Sequence, residues 1–356
     1  MQFTFRQSPQ LKIKPDISQV QFGSHISDHI FVADYEEGFG WINARIIPYS
    51  SFQLEPTALV LHYGQSIFEG LKAYRQPDGA IALFRPDQNF HRMNRSAARM
   101  AMPEIPEDLF NTGLHRLISV EQEWVPATRN ASLYVRPIMF ANEAALGVRR
   151  SSRYVFCIML CPVPSYFNIG DKPFKLLARE DFSRTAQGGV GNAKTSANYG
   201  QSIIALEEAR REGFDNLLWL DAAKHQWIEE AGITNIFIKY SDKVVTPPLS
   251  GRILPGITRA SVIDLLRHQG VSIIETETSI EDLVRDIDQG LVHEIFLTGT
   301  ATVVAPVDEI GFRGKRFKLT FNSANSLATS LYQTLTGIQN GTLPDHFDWM
   351  SPLVHD

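Results

Sequence analysis

Residues 162–173 read PVPSYFNIGDKP, with three prolines and a glycine in one short stretch. Proline fixes its own φ and has no N–H to donate, so such a stretch continues neither a helix nor a central strand. A chain interrupted there folds as two bodies. We place a smaller N-terminal α/β domain at 1–165, a linker at 166–177 and a larger C-terminal domain at 178–356. The length of 356 residues agrees, because domains of ~150 residues make two the expected number.

Both halves mix strands and helices. In the first, HIFVADY and WINARIIPY predict paired strands, and TALVLHYGQSIFE (57–69) predicts a helix ended by Gly70. LKAYRQPDGAIALFR carries a hairpin signature, with Pro77-Asp78-Gly79 at its turn. Pro86 opens a helix with Phe90, Met93, Ala97 and Met100 on one face, and a second helix runs from about Pro106 to Trp124. SLYVRPIMF and YVFCIML close this half as strands. The second half starts with a strand from Phe174 to Arg179 and a Gly-rich loop. A helix follows from about Ser196 to Glu212, stopped by Gly213. LLWLD, NIFIKY, KVVTP, VSIIETE and HEIFLTG read as strands, and ITRASVIDLLRHQ as a helix. Ser279 with Asp282 caps one further helix. No fixed-period repeat is present, which excludes solenoids and propellers. The fold class is α+β.

Composition narrows the partners. Lys plus Arg is 34 against 39 for Asp plus Glu, a net charge of −5, and neither a nucleic acid nor an anionic membrane is met by such a balance. The longest apolar run, Tyr154 to Val163, is about half of the ~20 residues a membrane span requires. The first thirty residues lack the pattern of a secretory signal, so the expected location is cytoplasmic. Cys157 and Cys161 sit in one strand-like run, where four residues cover roughly 13 Å, too far for a disulfide. With no further Cys or His at ligand spacing, they read as core thiols rather than a metal site.

The stretch AQGGVGNAKTSANYG (186–200) is where chemistry concentrates. One reading is a phosphate-cradling P-loop, with Gly188 at its start, Lys194-Thr195 at its end and Asp221 as the second nucleotide motif. Ala193 stands where that motif wants glycine, and eight mostly polar residues separate Arg179 from Gly188. A P-loop leaves directly from a buried strand, so the fit is poor. The other reading is a loop that presents one lysine. Glycines at 188, 189 and 191 allow tight bends, and small neighbours leave room to enclose the Lys194 amine. A solvated surface lysine fits the local pattern equally well.

The rest of the chain breaks that tie. A lysine in Schiff-base linkage to pyridoxal phosphate needs an anion site for the phosphate, an acid for the pyridine nitrogen and a donor for the phenolic oxygen. LPGITRA turns into a helix whose N–H groups at Ile257 and Thr258 can hold a dianion. TGTAT (298–302) is a second turn able to donate N–H and hydroxyl groups. IEEAGITN (228–235) sets Glu229 and Glu230 among apolar strands, where an unpaired acid is costly. Tyr199 lies within reach of the same ring.

In order and spacing, QFGSHISDH, LHYGQSIFEGLKAYR, FRPDQNFHRMNRSA, SLYVRPIMF, GNAKTSANYG, EEAGITNIF, VTPPLSGRILPGITR and LTGTATVVAPV resemble the branched-chain amino acid aminotransferases, fold-type IV pyridoxal-phosphate enzymes. The likeness spans nearly the whole chain. It implies a two-domain α+β fold with the cofactor in the inter-domain cleft, and a homodimer acting on small amino and 2-oxo acids. It implies Lys194 as the Schiff-base lysine and Arg92 as the phosphate cation, with Ile257, Thr258 and Thr300 completing the phosphate site. Glu230 is implied at the pyridine nitrogen and Tyr199 at the phenolic oxygen. Glu229 should point the other way by strand alternation. Tyr63, Phe68, Tyr134 and Tyr166 are implied as aromatic walls around leucine, isoleucine or valine. Arg136 would meet the side-chain carboxylate of glutamate or 2-oxoglutarate, and the Ala301 N–H the α-carboxylate.

Five residues at three places depart from that family's pattern. Ile26 stands where mammalian members carry an aromatic, Ile233-Thr234 differ from the usual smaller residues, and Thr302 with Ala305 replace the mammalian redox cysteine pair. The implied reaction is ping-pong transamination with 2-oxoglutarate as acceptor. D-amino acid aminotransferases and aminodeoxychorismate lyases share the fold and are the enzyme alternatives; a nucleotide-binding module is the non-enzyme one.

Overall fold

The structure, a computed structural model, describes residues 3–165, 172–319 and 326–354. Contacts divide it into two units. Met1–Ser165, Ala193–Ala197 and Gly337–Asp356 form the first, Tyr166–Asn192 and Asn198–Thr336 the second. The break after Ser165 falls inside the proline-rich stretch. Two later segments nevertheless belong to the first unit, because they pair with its strands rather than with their chain neighbours.

The first unit contains β1 (Thr4–Phe5), β2 (His29–Glu36), β3 (Gly40–Pro48), α1 (Leu59–Tyr63), β4 (Ser66–Phe68), β5 (Leu71–Arg75) and β6 (Ile81–Phe84). α2 (Pro86–Arg99), α3 (Glu107–Val120), β7 (Ser132–Ala141) and β8 (Arg153–Val163) follow. Its sheet runs β1-β3-β2-β8-β7-β5-β6, with β4 paired to β7. One face packs on α2 and α3 through Phe31, Leu71, Leu133, Val135, Phe156 and Leu160 against Met93, Phe110 and Leu114. Strand alternation then commits Tyr134, Arg136 and Cys161 to the opposite face. Lys72 joins them, because it lies opposite Tyr134 in the β5–β7 register.

Two expectations are corrected here. The helix expected over 57–69 is only the short α1, which Gly64 ends in the left-handed region at φ 61°. A glycine reaches that conformation freely, and the chain leaves it as β4. Pro162 does not interrupt β8 but pairs opposite Leu133. The β2–β8 pairing stops at Ile158, so the N–H that proline lacks falls where no strand needs it.

The second unit contains β9 (Phe174–Ala178), α4 (Ala197–Gly200), α5 (Ile203–Arg211), β10 (Asn216–Leu220), β11 (Ile228–Ala231), β12 (Asn235–Lys239) and β13 (Val244–Thr246). α6 (Ile257–His268), β14 (Ile273–Glu275), α7 (Ile280–Asp288), β15 (Glu294–Gly299), β16 (Val303–Phe312), β17 (Lys315–Lys318) and α8 (Leu327–Gln339) complete it; β18 (Met350–Pro352) returns to β6 in the first unit's sheet. The second sheet runs β11-β10-β9-β16-β15-β12-β13-β14, with β17 on β16. The single helix expected from Ser196 to Glu212 is two. Both the amide and the hydroxyl of Ser202 turn back to the Tyr199 carbonyl, which breaks the i→i−4 ladder between α4 and α5. Ser279 caps α7 as its spacing predicts, its hydroxyl accepting the Asp282 N–H. Among the described residues, no helix is long and apolar enough to cross a membrane.

Candidate active site

Lys194 is held in the first unit like a short extra strand. Its carbonyl accepts the Phe68 N–H at 3.0 Å, the Ser196 N–H bonds the Ser66 carbonyl at 3.1 Å, and Thr195 bridges Ile67. Ser96 of α2 fixes the remaining backbone group: its hydroxyl accepts the Lys194 N–H at 2.9 Å and donates to the Arg92 carbonyl at 3.0 Å. The half-buried lysine therefore has a rigid base, and its Nζ lies 5.0 Å from the centre of the Phe68 ring. This anchoring also removes the P-loop reading. The segment leads into α4 but pairs with β4 instead of leaving from a buried strand, and β9 has already ended at Ala178.

Arg92 is buried on α2 and bonds Glu69 with two nitrogens, Nε to Oε1 at 2.7 Å and Nη2 to Oε2 at 2.9 Å. Asn89 Nδ2 and the Gly70 N–H also donate to Oε2, at 2.6 and 3.1 Å. Burial alone would raise the Glu69 carboxyl, but the charges of Arg92 and Lys194 outweigh it and hold it below the ordinary carboxylate range. Arg95 and Arg99, on the same helix, are exposed.

The Arg136 guanidinium lies 4.7 Å from the Phe68 ring centre and 5.2 Å from that of Tyr134, and Nη2 donates to the Tyr134 hydroxyl at 3.0 Å. Its Nε is buried without a partner. Phe22 meets Tyr134 edge-on at 4.9 Å. Gly70 makes room for the arrangement, since a Cβ there would stand 2.0 Å from the Tyr134 hydroxyl. On the same sheet face, burial pushes the Lys72 amine down to about 8. It also raises the free thiols of Cys157 and Cys161.

In the second unit, Glu229 and Glu230 are both buried on β11 and turn to different partners, as alternation requires. Glu229 pairs with Arg252, and burial, opposed by that arginine, still leaves its carboxyl raised. Glu230 accepts the Leu254 N–H and lies 3.2 Å from Arg184 Nε. α6 begins at Ile257 with Gly256 at its N-cap and no side chain capping it, so the first N–H groups keep the positive end of the helix dipole. Thr258 is buried there. Thr300 and Ala301 occupy the turn joining β15 to β16. Val303 closes that turn at φ 55°, a conformation that costs a β-branched residue about 1–3 kcal/mol and concentrates at functional sites. Beside it, the buried Thr302 hydroxyl has no partner. Tyr199 is half-buried on α4.

The first unit thus gathers Phe68, Tyr134, Arg136, Lys194 and Arg92. Tyr63 is not enclosed with them: it is 37% exposed, and its hydroxyl donates to the Leu146 carbonyl. Tyr166 lies outside the described residues. Sequence reasoning missed Glu69, Asn89, Ser96 and Arg184. Asn89, Arg92 and Ser96 repeat at helical spacing along one face of α2, a signal legible beforehand. Each unit carries groups of the kind a phosphorylated pyridine aldehyde needs: an anchored amine and a buried cation in the first, a buried acid and an uncapped helix start in the second.

The fold is that of known aminotransferases. A branched-chain aminotransferase from Thermoproteus uzoniensis, solved with norvaline, matches with a TM-score of 0.75 at 23% identity, covering 92% of this chain and 100% of that one. A branched-chain amino acid aminotransferase from Thermobaculum terrenum, solved in its PLP-form, matches with a TM-score of 0.73 at 21% identity, covering 91% and 98%. Sequence carries the assignment further. The class IV amino-transferase family model matches residues 66–310, and the chain belongs to that family. Branched-chain-amino-acid transaminase 1 of Bacillus subtilis is 45% identical over 341 residues, 95% of each chain. Branched-chain-amino-acid aminotransferase 2 of the same organism is 43% identical over 343 residues, 96% of this chain and 94% of that one.

Proposed function

We propose that this chain moves the amino group of L-leucine, L-isoleucine or L-valine to 2-oxoglutarate with pyridoxal 5'-phosphate as cofactor. The observation that supports this best is the guanidinium of Arg136 lying over two aromatic rings. An aliphatic side chain meets ring faces there, and an acidic side chain meets a cation, so one place serves both substrates of a ping-pong exchange. The relatives named for branched-chain transamination support the same substrate class.

When bound, the cofactor supplies the electron sink that makes the substrate α-proton removable. Lys194 Nζ would hold the cofactor covalently and, once displaced by substrate, would carry the α-proton as base and then as acid. Arg92, the Ile257 and Thr258 N–H groups and Thr300 hold the phosphate. Glu230 keeps the ring nitrogen protonated, Tyr199 donates to the phenolic oxygen, and the Ala301 N–H holds the α-carboxylate. Phe68 and Tyr134 line the side-chain pocket, to which the family resemblance adds Tyr166. α1 and the segment bonded to it leave Leu61, Tyr63, Leu146 and Val148 exposed, an apolar surface that we assign to a homodimer. Tyr63 lies on that surface, so its substrate role belongs to the dimer. The proposed location is cytoplasmic.

The purified protein should transfer the amino group of L-glutamate to the three branched 2-oxo acids with kcat/KM on the order of 10²-fold above that for pyruvate. A preference for D-alanine, or release of pyruvate from aminodeoxychorismate, would place the chain with the other enzymes of this fold.

A further inference from the structure

Arg184 belongs to none of the roles above, yet it is buried and its guanidinium ties Glu230 to two neighbouring loops. Its Nε lies 3.2 Å from Glu230 Oε2. Nη1 and Nη2 both donate to the Gly191 carbonyl at 3.3 Å, and Nη1 also donates to the Arg252 carbonyl at 2.9 Å. Three segments are thereby joined: β11 with its acid, the glycine loop that continues to Lys194, and the loop that continues through Leu254 to the start of α6. Thr185 adds a bond from its hydroxyl to the same Arg252 carbonyl at 3.0 Å. The two loops approach so closely that a Cβ on Gly191 would stand 2.2 Å from the Arg252 oxygen. Glycine is required there by contact, not by backbone conformation.

We infer that Arg184 is a positioning residue for the cofactor: it sets a cation against Glu230 and aims it, and locks the lysine loop to the phosphate loop. The inference rests on the reading of Glu230 as the partner of the ring nitrogen. A carboxylate this buried holds its charge only beside a cation, and a guanidinium alone combines that charge with a fork for two backbone carbonyls. Arg184 touches no substrate. Its influence on the reaction passes through Glu230, and that route distinguishes it from a residue that merely holds the fold.

A double-mutant cycle on the holoenzyme tests the route. Arg184→Gln, Glu230→Gln and the double variant are compared in the single-turnover rate of the leucine half-reaction, and in the cofactor dissociation constant from tryptophan fluorescence of the apoenzyme. Arg184→Gln is expected to slow the half-reaction and weaken cofactor binding, each by about 10- to 100-fold. In the Glu230→Gln background the same change should slow the half-reaction by no more than about threefold, because the group it acts through is gone. Multiplying losses would overturn the inference while leaving the role of Glu230 intact. A Glu230→Gln variant with wild-type rate and affinity would overturn the reading of Glu230 and this inference with it. Arg184→Lys, which keeps the charge without the fork, replaces the glutamine variant in the cycle if that one is insoluble. It should recover part of the rate but not the affinity, and a fully wild-type lysine variant would contradict the locking role.

Discussion

Each unit buries an arginine–glutamate pair, and the two pairs are built in opposite senses. In the first, Glu69 accepts four N–H bonds, two from Arg92 and one each from Asn89 and Gly70. There the acid is the tied member, and the arginine is the group to which we assign a function. In the second, the arginine is the tied member, with Arg184 bonded to two backbone carbonyls as well as to Glu230. The acid is the group to which we assign a function. A buried charge is costly alone and tolerable in a network. In the roles we propose, the same device presents a cation to a phosphate in one place and an anion to a ring nitrogen in the other.

Substitutions can break this symmetry at different depths. The largest effect is expected at Lys194, which both readings need. Lys194→Ala should lose all turnover, and borohydride reduction of the variant should leave no cofactor covalently attached; a reduced, attached cofactor would move the lysine elsewhere. Glu69→Gln strands the Arg92 charge in the core, so chemical denaturation should show a loss of about 3–5 kcal/mol. A loss below about 1 kcal/mol would mean that Arg92 does not need its acid. Glu230→Gln should cost about 3 kcal/mol of transition-state stabilisation, on the order of 10²-fold in rate. Glu229→Gln should be far milder, because Glu229 answers to Arg252 instead. Equal rate losses from the two would show that alternation on β11 does not separate their roles. Arg136→Met divides the half-reactions. The 2-oxoglutarate half should lose ~2–4 kcal/mol in kcat/KM, while the leucine half stays within roughly tenfold. Parallel losses would make Arg136 a binder of the shared α-carboxylate.

The element order was largely legible, and the residues to which we assign chemistry stand out in the sequence. Lys194, Glu230 and Arg136 announce themselves as charges set among small or apolar neighbours. Their supports do not. Glu69 reads as one more acid after an aromatic, and Arg184 as one polar residue in a loop of several. What marks them is long-range pairing: Arg92 follows Glu69 by 23 positions, and the Arg252 carbonyl follows Arg184 by 68. The 57–69 helix failed for a related reason. Its apolar periodicity is real, but β4 satisfies it by pairing with β7 and with the lysine segment, partners a local window does not contain. Pro162 misled because proline is harmless on the side of a strand that has no partner.

The opposite roles of the two acids can be read in a single measurement, the single-turnover rate of the leucine half-reaction for Glu69→Gln and Glu230→Gln at saturating cofactor. An acid that only holds Arg92 affects how tightly the cofactor binds, so saturation should return Glu69→Gln to within about tenfold of the wild type. An acid at the ring nitrogen acts in the chemistry, so Glu230→Gln should remain on the order of 10²-fold slow however much cofactor is present. A Glu69→Gln defect that persists undiminished at saturation, or a Glu230→Gln defect that disappears there, would contradict the account.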